Sequence, residues 1–330
     1  MMLEPLVAAL PLATQMLLRG GWVSVQTFFI LSGLVLAHTY AHFTWNIANL
    51  KKYALARVAR VYPGYLLSLL VVSPFIYYTL VHGTGKAWPA THKAYLLINY
   101  FLVLQGWTGS LNVGWNTPAW SLSCEFVFYL CFPLTIFALR KLRPPARILA
   151  PAALALALPT ILAFLHAPDV WKPVHHLADF FMGIAAAGIL NRLRPIHGAW
   201  LYVPASLLFA GIIANPELVE WFCFLNSALR PVSALMLIGL AIGGGTIARA
   251  LSTRIMNFLG QASYQMYILH IPLLWWFTRY GVAKYWGLSP AMAGFWFLSG
   301  VLLLSSLAFH FVEEPANQAL RSLLRARPAA

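Results

Sequence analysis

The sequence predicts an all-α protein that crosses a membrane many times. Of its 330 residues, 61% are hydrophobic and 9% are charged, whereas about 25% of residues are charged in soluble domains. The mean hydropathy of +0.73 and the 13 tryptophans and 14 tyrosines fit a chain surrounded mostly by lipid, with aromatic rings at its interfaces. So few charges cannot cover a water-soluble globule, and a soluble fold is excluded.

Positive charge is concentrated between the apolar segments. Lysine and arginine number 22 against 8 acidic residues, a formal net charge of +14. The basic residues form short runs, as in cytoplasmic loops that obey the positive-inside rule, so we expect membrane lipid as a partner and no nucleic acid. Cys124, Cys131 and Cys223 lie in apolar stretches without a pairing motif, which predicts small core residues.

Nine apolar runs are expected to span the membrane as helices. They cover residues 22–40, 62–81, 118–139, 148–165, 177–190, 200–214, 229–244, 263–278 and 291–312. A tenth run, Ala94 to Gly106, is short for a span and is expected to be re-entrant or interfacial. If this tenth run does not cross the membrane, the basic residues from Arg140 to Arg143 lie on the same side as Lys51. If it did cross, these basic residues would lie outside.

This threading places the N-terminus outside and the C-terminus in the cytoplasm of an inner-membrane protein. Residues 1–330 are expected to form one transmembrane domain, with residues 1–21 as an extracytoplasmic stub. The loop from Trp107 to Thr117 is rich in Gly, Asn, Ser and Trp and would lie on the extracytoplasmic face. It would form either the rim of a substrate entrance or an ordinary loop.

Glu125 lies within an apolar run, where an acid is costly unless it faces a protein interior or a water-filled cavity. Ser121 and Tyr129 lie one helical turn before and after it, so three polar side chains share one face. The ionisable member favours the wall of a cavity that positions substrate over a set of helix-packing hydrogen bonds. Ser121 and Ser123 taken alone are more typical of helix packing.

Arg57 and Arg60 lie three residues apart at the basic approach to a span, so their side chains are neighbours on a helix. Two guanidinium groups at this spacing can hold a phosphate or pyrophosphate, which lysine does less well. Arginines beside a cytoplasmic helix end are also common as topology determinants or lipid headgroup contacts. The spacing alone favours the latter.

A third polar set combines Ser263, Tyr267 and His270, at i, i+4 and i+7 of one apolar run. These positions share a helical face, and His270 lies deep in the predicted span. An imidazole there either shuttles protons or bonds a neighbouring helix, and taken alone it is more typical of the structural role.

The remaining histidine pairs, His38 with His42 and His175 with His176, are interpreted as lacking carboxylate or cysteine neighbours at metal-ligand spacing. We therefore expect interfacial histidines and no metal site.

The remaining acids of interest are Asp179, Glu313 and Glu314, which lie at span ends. An acid near a bilayer is usually paired, so we expect these carboxylates to pair with loop arginines.

Four short motifs occur in order along the chain. They are a Phe-Phe-x-Leu-Ser-Gly-like run at Phe28–Gly33, the Arg-x-x-Arg of Arg57 and Arg60, the Trp-Ser-Leu-Ser-x-Glu of Trp120–Glu125, and the Ser-Tyr-x-x-Tyr-x-x-His of Ser263–His270. In this order and spacing, they resemble the membrane-bound acyltransferase 3 family, which includes O-antigen and exopolysaccharide O-acetyltransferases. The resemblance covers essentially the whole chain.

The resemblance implies transfer of an acyl group, typically acetyl, from cytoplasmic acetyl-CoA or another acyl-CoA to a hydroxyl of a carbohydrate or lipid-linked glycan. Acyl-CoA would be a co-substrate, with no permanently bound cofactor, and Arg57 and Arg60 would lie on the donor side. The catalytic candidates are Glu125 and His270. The substrate-binding candidates are Trp120, Ser121, Ser123 and Tyr267. Cys124 and Cys131 have no placed base, which favours direct transfer over an acyl-cysteine intermediate.

One departure from the family pattern concerns the first helix. Family members usually carry an additional helix with a histidine, the presumed base, just before the loop that leads to the segment at Phe28–Gly33. We expect that helix and its histidine to be missing, and His38, one helix later at the opposite membrane face, is a poor substitute. The chain as numbered is therefore expected to be nearly inactive in acyl transfer.

Two other classes of function stay open at the level of sequence. One is a proton-coupled transporter or flippase of glycans, in which Glu125 and His270 relay protons; the halves of the chain show no obvious repeat, which counts against it. The other is a non-catalytic, truncated membrane partner, which the missing first helix would favour.

Overall fold

The computed structural model is built from helices. It describes residues 21–82, 98–107, 116–165, 172–193, 199–214, 223–243, 246–279 and 286–325, and no strand occurs in these ranges. In chain order, the helices are α1 (Gly21–Thr39), α2 (Ile47–His82), α3 (Ala119–Arg140), α4 (Ala146–Phe164), α5 (Lys172–Leu190), α6 (Ala199–Ile213), α7 (Cys223–Ile242), α8 (Thr246–Leu251), α9 (Arg254–Arg279), α10 (Pro290–Ala308) and α11 (Glu314–Arg325). A π-helical turn, Phe309–Glu313, joins α10 to α11.

The predicted all-α architecture is confirmed for the described residues, and each predicted span coincides with a helix. Five helices are long and apolar enough to cross a membrane, namely Ile47–Tyr77, Ala119–Arg140, Ala146–Phe164, Pro173–Leu190 and Ala291–Leu320. The apolar parts of α1, α6 and α7 are shorter. The count of nine spans therefore stays a prediction.

The short apolar run that ends at Gly106 is described from residue 98. Residues 98–101 form a single helical turn and are followed by turns as far as residue 107. The hydroxyl of Tyr65 donates to the carbonyl of Tyr100 at 2.7 Å, and the Gln105 amide donates to the carbonyl of Ala119 at 2.7 Å. Side chains and backbone of α2 and α3 therefore hold this segment, which supplies polar partners to irregular backbone.

The chain divides into two compact units, each described by itself. The first unit comprises Met1–Trp45 and Leu130–Thr253, and the second comprises Asn46–Tyr129 and Arg254–Ala330. The boundary falls within α3, whose residues up to Tyr129 belong to the second unit. The prediction of a single domain over residues 1–330 stays a prediction.

In the first unit, α1 packs along α5, which also contacts α4 and α7. Two glycines make the approach of α1 and α5 close. A Cβ atom on Gly33 would collide with the carbonyl oxygen of Phe180, and one on Gly183 would collide with the carbonyl oxygen of Ile30. Small residues let helix backbones approach in this way in membranes, so the glycine of the Phe28–Gly33 motif has a packing role.

The helices α1, α5 and α7 run in the same direction. Near their N-terminal ends, Gln26, Asp179 and Arg230 are hydrogen-bonded together, and near their C-terminal ends Leu34, Leu190 and Ala241 line one cavity of about 440 Å³. Successive membrane-spanning helices alternate in direction. If α2, α3 and α4 each cross the membrane once and the run that ends at Gly106 does not cross, α5 is parallel to α1. A crossing by that run would make α5 antiparallel to α1. The parallel arrangement is the one that the unthreaded interpretation requires.

In the second unit, α2 packs against α9 and α11, and α9 also packs against α10. The indole of Trp276 donates to the carbonyl of Val71 at 2.8 Å, and the ring of Phe75 lies edge-on to it with centroids 4.7 Å apart. Gly64 of α2 faces the side chains of Gln265 and Tyr264 on α9, where a Cβ atom would collide with the Gln265 amide. This close approach positions the polar residues of α9 beside those of α2.

Several predictions fall outside the described residues. They concern residues 1–20 of the stub, residues 94–97 of the short apolar run and residues 108–115 of the loop from Trp107 to Thr117. The membrane side of each chain end also stays a prediction.

Candidate functional site

Arg57 and Arg60 lie on one face of α2, as their spacing predicts, but their guanidinium groups have different surroundings. The guanidinium of Arg57 lies 5.8 Å from the ring centroid of Tyr53 and 5.4 Å from that of Tyr129. That of Arg60 lies 5.5 Å from the ring centroid of Tyr264 and forms an ion pair with Glu313. Aromatic faces attract cations, so these rings orient both arginines.

The carboxylate of Glu313 is completely buried and has two partners. It accepts hydrogen bonds from Arg60 and from the side-chain amide of Gln265 at 2.9 Å. The side chain of Arg60 is 39% exposed, so the pair joins a buried carboxylate to an arginine that reaches the surface of the unit. Arg60 of the predicted phosphate clamp therefore already has an anionic partner.

Glu125 is buried in the first half of α3. The hydroxyl of Tyr129, one turn later, donates to the Glu125 carboxylate. Tyr53 of α2 donates to the backbone carbonyl of Tyr129 at 2.9 Å. Because Arg57 lies above the ring of Tyr129, this tyrosine connects the carboxylate of α3 to the arginine motif of α2.

Ser121 and Tyr267 are brought together, as neither motif alone predicts. Their hydroxyl oxygens are 2.8 Å apart, and each lies within hydrogen-bonding distance of the carbonyl oxygen of Pro118, at 3.0 and 3.1 Å. Because each hydroxyl has one hydrogen, at most two of these three hydrogen bonds form at once. Ser121, Glu125 and Tyr129 thus lie on one face of α3 with partners on α2 and α9. The predicted polar stripe of α3 is confirmed as a stripe inside the second unit.

His270 and Ser123 have backbone groups as partners. His270 is partly buried, and its Nδ1 atom lies 2.6 Å from the carbonyl oxygen of Tyr267, one turn earlier. The hydroxyl of Ser123, which is completely buried, accepts a hydrogen bond from the backbone N–H of Gly106 at 3.2 Å. Trp120 is partly buried. A cavity shared by Glu125 and His270 stays a prediction, and so do the substrate-binding roles of Trp120 and Ser123.

A second cluster of charges lies in the first unit, around Asp179 of α5. Arg230 of α7 pairs with Asp179 at 2.6 Å, Gln26 of α1 donates to the same oxygen at 3.1 Å, and His176 faces the other oxygen at 2.9 Å. The interpretation of His175 and His176 as lacking a carboxylate neighbour is therefore wrong, because Asp179 lies one helical turn after His176.

The expectation of loop arginines as partners is also wrong. Asp179 pairs with Arg230, and Glu313 pairs with Arg60; both arginines lie within helices. An arginine held inside a helix bundle can neutralise a buried acid that a loop arginine at the interface would not reach. Glu314 has a local partner instead, His310 at 3.1 Å.

Sequence reasoning missed the aromatic partners of the motif arginines, Tyr53 and Tyr264, and it missed Gln265, which donates to the carboxylate of Glu313. Tyr264 and Gln265 lie within the Ser263–His270 segment. Both side chains face α2, on a different side of α9 from Ser263 and Tyr267. Their hydrogen-bonding side chains in an apolar run were the available signal.

Comparison with known proteins finds a family model that matches the chain. The acyltransferase 3 model, described as an acyltransferase domain, matches residues 5–310, which include all four motifs. The acyltransferase MdmB of Streptomyces mycarofaciens is 28% identical over 346 residues, which cover 94% of this chain and 84% of that protein. The O-acetyltransferase OatA of Staphylococcus aureus strain NCTC 8325 is 23% identical, covering 91% of this chain and 53% of that protein.

A putative O-acetyltransferase of Staphylococcus aureus strain COL is 22% identical over 344 residues, covering 94% of this chain and 55% of that protein. The chain therefore spans about half the length of the two staphylococcal relatives. No solved structure matches the chain.

Proposed function

We propose that this chain, which belongs to the acyltransferase 3 family and is an acyltransferase, moves an acyl group from a CoA thioester to a hydroxyl of a carbohydrate or lipid-linked glycan. The family and the apolar helices make it a multi-pass membrane protein. In our proposal it lies in the inner membrane with its C-terminus in the cytoplasm, and acetyl-CoA or another acyl-CoA is a co-substrate.

The observation that carries the donor assignment is the pair of arginines on α2. CoA bears phosphate groups, which guanidinium groups bind through paired hydrogen bonds. Arg57 and Arg60 follow the basic start of α2, where Lys51 and Lys52 are exposed, and basic residues of this kind belong on the cytoplasmic side. A donor from the cytoplasm would therefore meet these arginines first.

The supporting roles fall to Glu125 and His270. Glu125 acts through Tyr129. The hydroxyl of Tyr129 donates a hydrogen bond to the Glu125 carboxylate, and the guanidinium of Arg57 lies over the Tyr129 ring. His270 lies one turn after Tyr267, which is bonded to Ser121. The hydroxyls of Ser121 and Tyr267, which share the Pro118 carbonyl, are the groups best placed to accept a hydrogen bond from a substrate hydroxyl.

The names of the relatives support the transfer of acyl groups to oxygen. OatA is named an O-acetyltransferase, and an oxygen acceptor accords with a hydroxyl on a glycan. Transfer is direct in our proposal: a base takes the proton of the acceptor hydroxyl, whose oxygen attacks the thioester carbonyl as the bond from carbon to sulfur breaks. The proton passes on to the CoA thiolate, so the products are the acyl ester and CoA.

The proposal is tested with purified protein in lipid nanodiscs. Binding of acetyl-CoA is measured first, and release of the CoA thiol is then followed with and without p-nitrophenyl β-D-glucoside as a soluble hydroxyl acceptor. We expect saturable binding and thiol release that depends on the acceptor, with acetylated glucoside detected by mass spectrometry. Binding without acetylated product from any sugar or alcohol probe would contradict the hydroxyl acceptor, and absence of binding would contradict the CoA donor.

A further inference from the structure

Pro272 leaves one backbone carbonyl of α9 without its usual helical partner. Pro272 lies inside α9 and has no N–H, so the carbonyl of Ile268, one turn earlier, lacks the hydrogen bond that a regular helix supplies. The side-chain amide of Asn116 donates to that carbonyl at 2.7 Å. A residue of the loop from Trp107 to Thr117 therefore completes the backbone hydrogen bonding of α9.

Asn116 has a fixed orientation and an unused acceptor. Its Nδ2 atom donates to the Ile268 carbonyl and, at 3.1 Å, to the hydroxyl oxygen of Ser68 on α2. A carbonyl oxygen only accepts, so the amide nitrogen faces Ile268 and the Oδ1 atom faces elsewhere. The side chain is 1% exposed, and Oδ1 has no hydrogen-bond partner among the described residues. A buried acceptor in this state favours a bound molecule that donates a hydrogen bond, as a hydroxyl does.

His270 lies at the same turn of α9. Its Nδ1 atom lies 2.6 Å from the carbonyl oxygen of Tyr267, the residue before Ile268, so the imidazole and the Asn116 amide bond to consecutive carbonyls. Because a carbonyl only accepts, the neutral ring carries its hydrogen on Nδ1 and its lone pair on Nε2. The ring is partly exposed. This turn of α9 thus combines an accessible basic nitrogen with a buried acceptor oxygen.

The donor arginines belong to the same unit as this turn. Arg60 lies beside the ring of Tyr264 on α9. His270 follows Tyr264 by six residues, which is about 9 Å along a helix at about 1.5 Å per residue. The extended arm that joins the phosphates of CoA to its thioester is longer than this. Tyr267, whose hydroxyl oxygen lies 2.8 Å from that of Ser121, is midway between them in the helix. Polar groups of the second unit therefore lead from the arginines to His270.

We propose that this turn of α9 is the acceptor subsite of the second unit and that its ligand is a pair of neighbouring hydroxyls on a sugar. The inference rests on the proposed function and names the substrate class within it. Oδ1 of Asn116 accepts a hydrogen bond from one hydroxyl, and Nε2 of His270 takes the proton of the other. That oxygen bonds to the thioester carbon as the bond from carbon to sulfur breaks. The imidazolium then gives the proton to the CoA thiolate, so the products are the acyl ester and CoA.

Two hydrogen-bond acceptors at one turn favour a polyol over a simple alcohol. A simple alcohol supplies one donor, which serves either Asn116 or His270, whereas two neighbouring hydroxyls supply one donor to each. In the proposed threading, Arg254 begins α9 on the cytoplasmic side, and His270 lies in the second half of that helix. A glycan outside the cytoplasm would therefore approach His270 from the face opposite to the one that admits the donor.

The first test compares trans-1,2-cyclohexanediol with cyclohexanol as acceptors of the acetyl group in nanodiscs with acetyl-CoA. We expect the wild type to have a KM about tenfold lower for the diol, the effect of one hydrogen bond to a buried group. Asn116→Ala should remove this preference without changing acetyl-CoA affinity. Asn99→Ala, the matched control, removes another buried amide of the second unit and should keep the preference. A wild type with equal KM for both alcohols would overturn the subsite.

A second variant separates binding by Asn116 from its support of the backbone. In Asn116→Ala/Pro272→Ala, position 272 regains an N–H that can bond the Ile268 carbonyl in place of the lost amide. We expect a Tm close to that of the wild type, with the preference for the diol still absent. A folded double variant that prefers the diol as the wild type does would overturn the binding role of Asn116.

The role of His270 is tested by the rate. We expect His270→Gln to lower kcat for both alcohols by about 100-fold or more, the range of general-base catalysis, with acetyl-CoA affinity close to that of the wild type. His310→Gln is the matched control, because His310 is exposed and lies on the π-helical turn. Added imidazole should restore part of the activity of His270→Ala, which a purely structural role would not permit. Equal rates for the wild type and His270→Gln, or a folded His270→Ala protein without rescue, would overturn the base assignment.

Binding gives a readout that does not depend on turnover. Titration with p-nitrophenyl β-D-glucoside in the absence of acetyl-CoA should give a dissociation constant about tenfold higher for Asn116→Ala/Pro272→Ala than for the wild type. Equal constants would show that Oδ1 of Asn116 binds water only and would overturn the subsite. A wild type that acetylates no alcohol or sugar would overturn the proposed function and the subsite with it, whereas an active wild type without a preference for the diol would overturn the subsite alone.

Discussion

Arg60 of α2 and Glu313 of the π-helical turn form an ion pair in which only the arginine reaches the surface. Glu313 is completely buried, whereas the Arg60 side chain is 39% exposed. Glu313 lies just beyond residue 310, where the match to the family model ends. The arginine motif is therefore held by a residue that follows the four motifs in the chain.

The asymmetry of this pair predicts unequal effects of removing its two members. Arg60→Ala strands a buried carboxylate, and we expect it to lower the free energy of unfolding by about 3 kcal/mol or less, the lower part of the range for breaking a buried pair. Glu313→Gln leaves an arginine that can turn to solvent and should cost less. Thermal unfolding in nanodiscs measures both, and the double variant Arg60→Ala/Glu313→Gln should regain part of the loss. A double variant less stable than Arg60→Ala would contradict the pairing.

Arg57 gives a prediction about the donor. Its guanidinium lies over two tyrosine rings and in our proposal binds a phosphate of the donor, so we expect Arg57→Ala to weaken acetyl-CoA binding by about tenfold or more, the loss of one charged hydrogen bond. Arg143→Ala is the matched control, because Arg143 is exposed and its loss removes the same charge. Arg140 is less suitable, since it donates to the carbonyls of Ala41 and Phe43. If Arg57→Ala and Arg143→Ala weakened acetyl-CoA binding equally, binding would depend only on the net charge of the protein.

Glu125 gives a prediction that separates charge from packing. In Glu125→Gln the amide oxygen can still accept the hydrogen bond from Tyr129, so we expect a Tm close to that of the wild type but transfer lowered by about tenfold or more, as for the loss of a charged interaction. Tyr129→Phe removes the donor from a buried carboxylate and should lower Tm. Normal transfer by a folded Glu125→Gln protein would assign Glu125 to helix packing.

The helices and the polar faces that they carry could be predicted from the sequence. Apolar runs between charges located α1 to α7 and α9 and α10, because a lipid environment leaves the backbone few alternatives to helix. The stripe of Ser121, Glu125 and Tyr129 followed from the helical period alone. Both results depend on periodicities within a single segment.

The partners of the charged groups could not be predicted in the same way. Arg60 and Glu313 are separated by 253 residues, and Gln26 and Asp179 by 153, so their contacts depend on which helices pack together. The sequence offered arginines in loops as well as arginines in helices, and charge alone does not choose between them. The packing of α2 on the π-helical turn and of α5 on α7 makes that choice.

The last prediction concerns the packing that supports the Phe28–Gly33 motif. We expect Gly183→Ala to destabilise the protein, because the added methyl group would collide with the Ile30 carbonyl oxygen and the Leu34 nitrogen of α1, and backbone atoms cannot move aside as a side chain can. Gly300→Ala on α10 is the matched control. A methyl group there meets no atom within 4 Å, so the higher helix propensity of alanine should stabilise the helix by up to about 1 kcal/mol. Thermal unfolding in nanodiscs should therefore give a lower Tm for Gly183→Ala and an equal or higher one for Gly300→Ala. An unchanged Tm in Gly183→Ala would show that α1 and α5 do not approach as closely as their glycines allow.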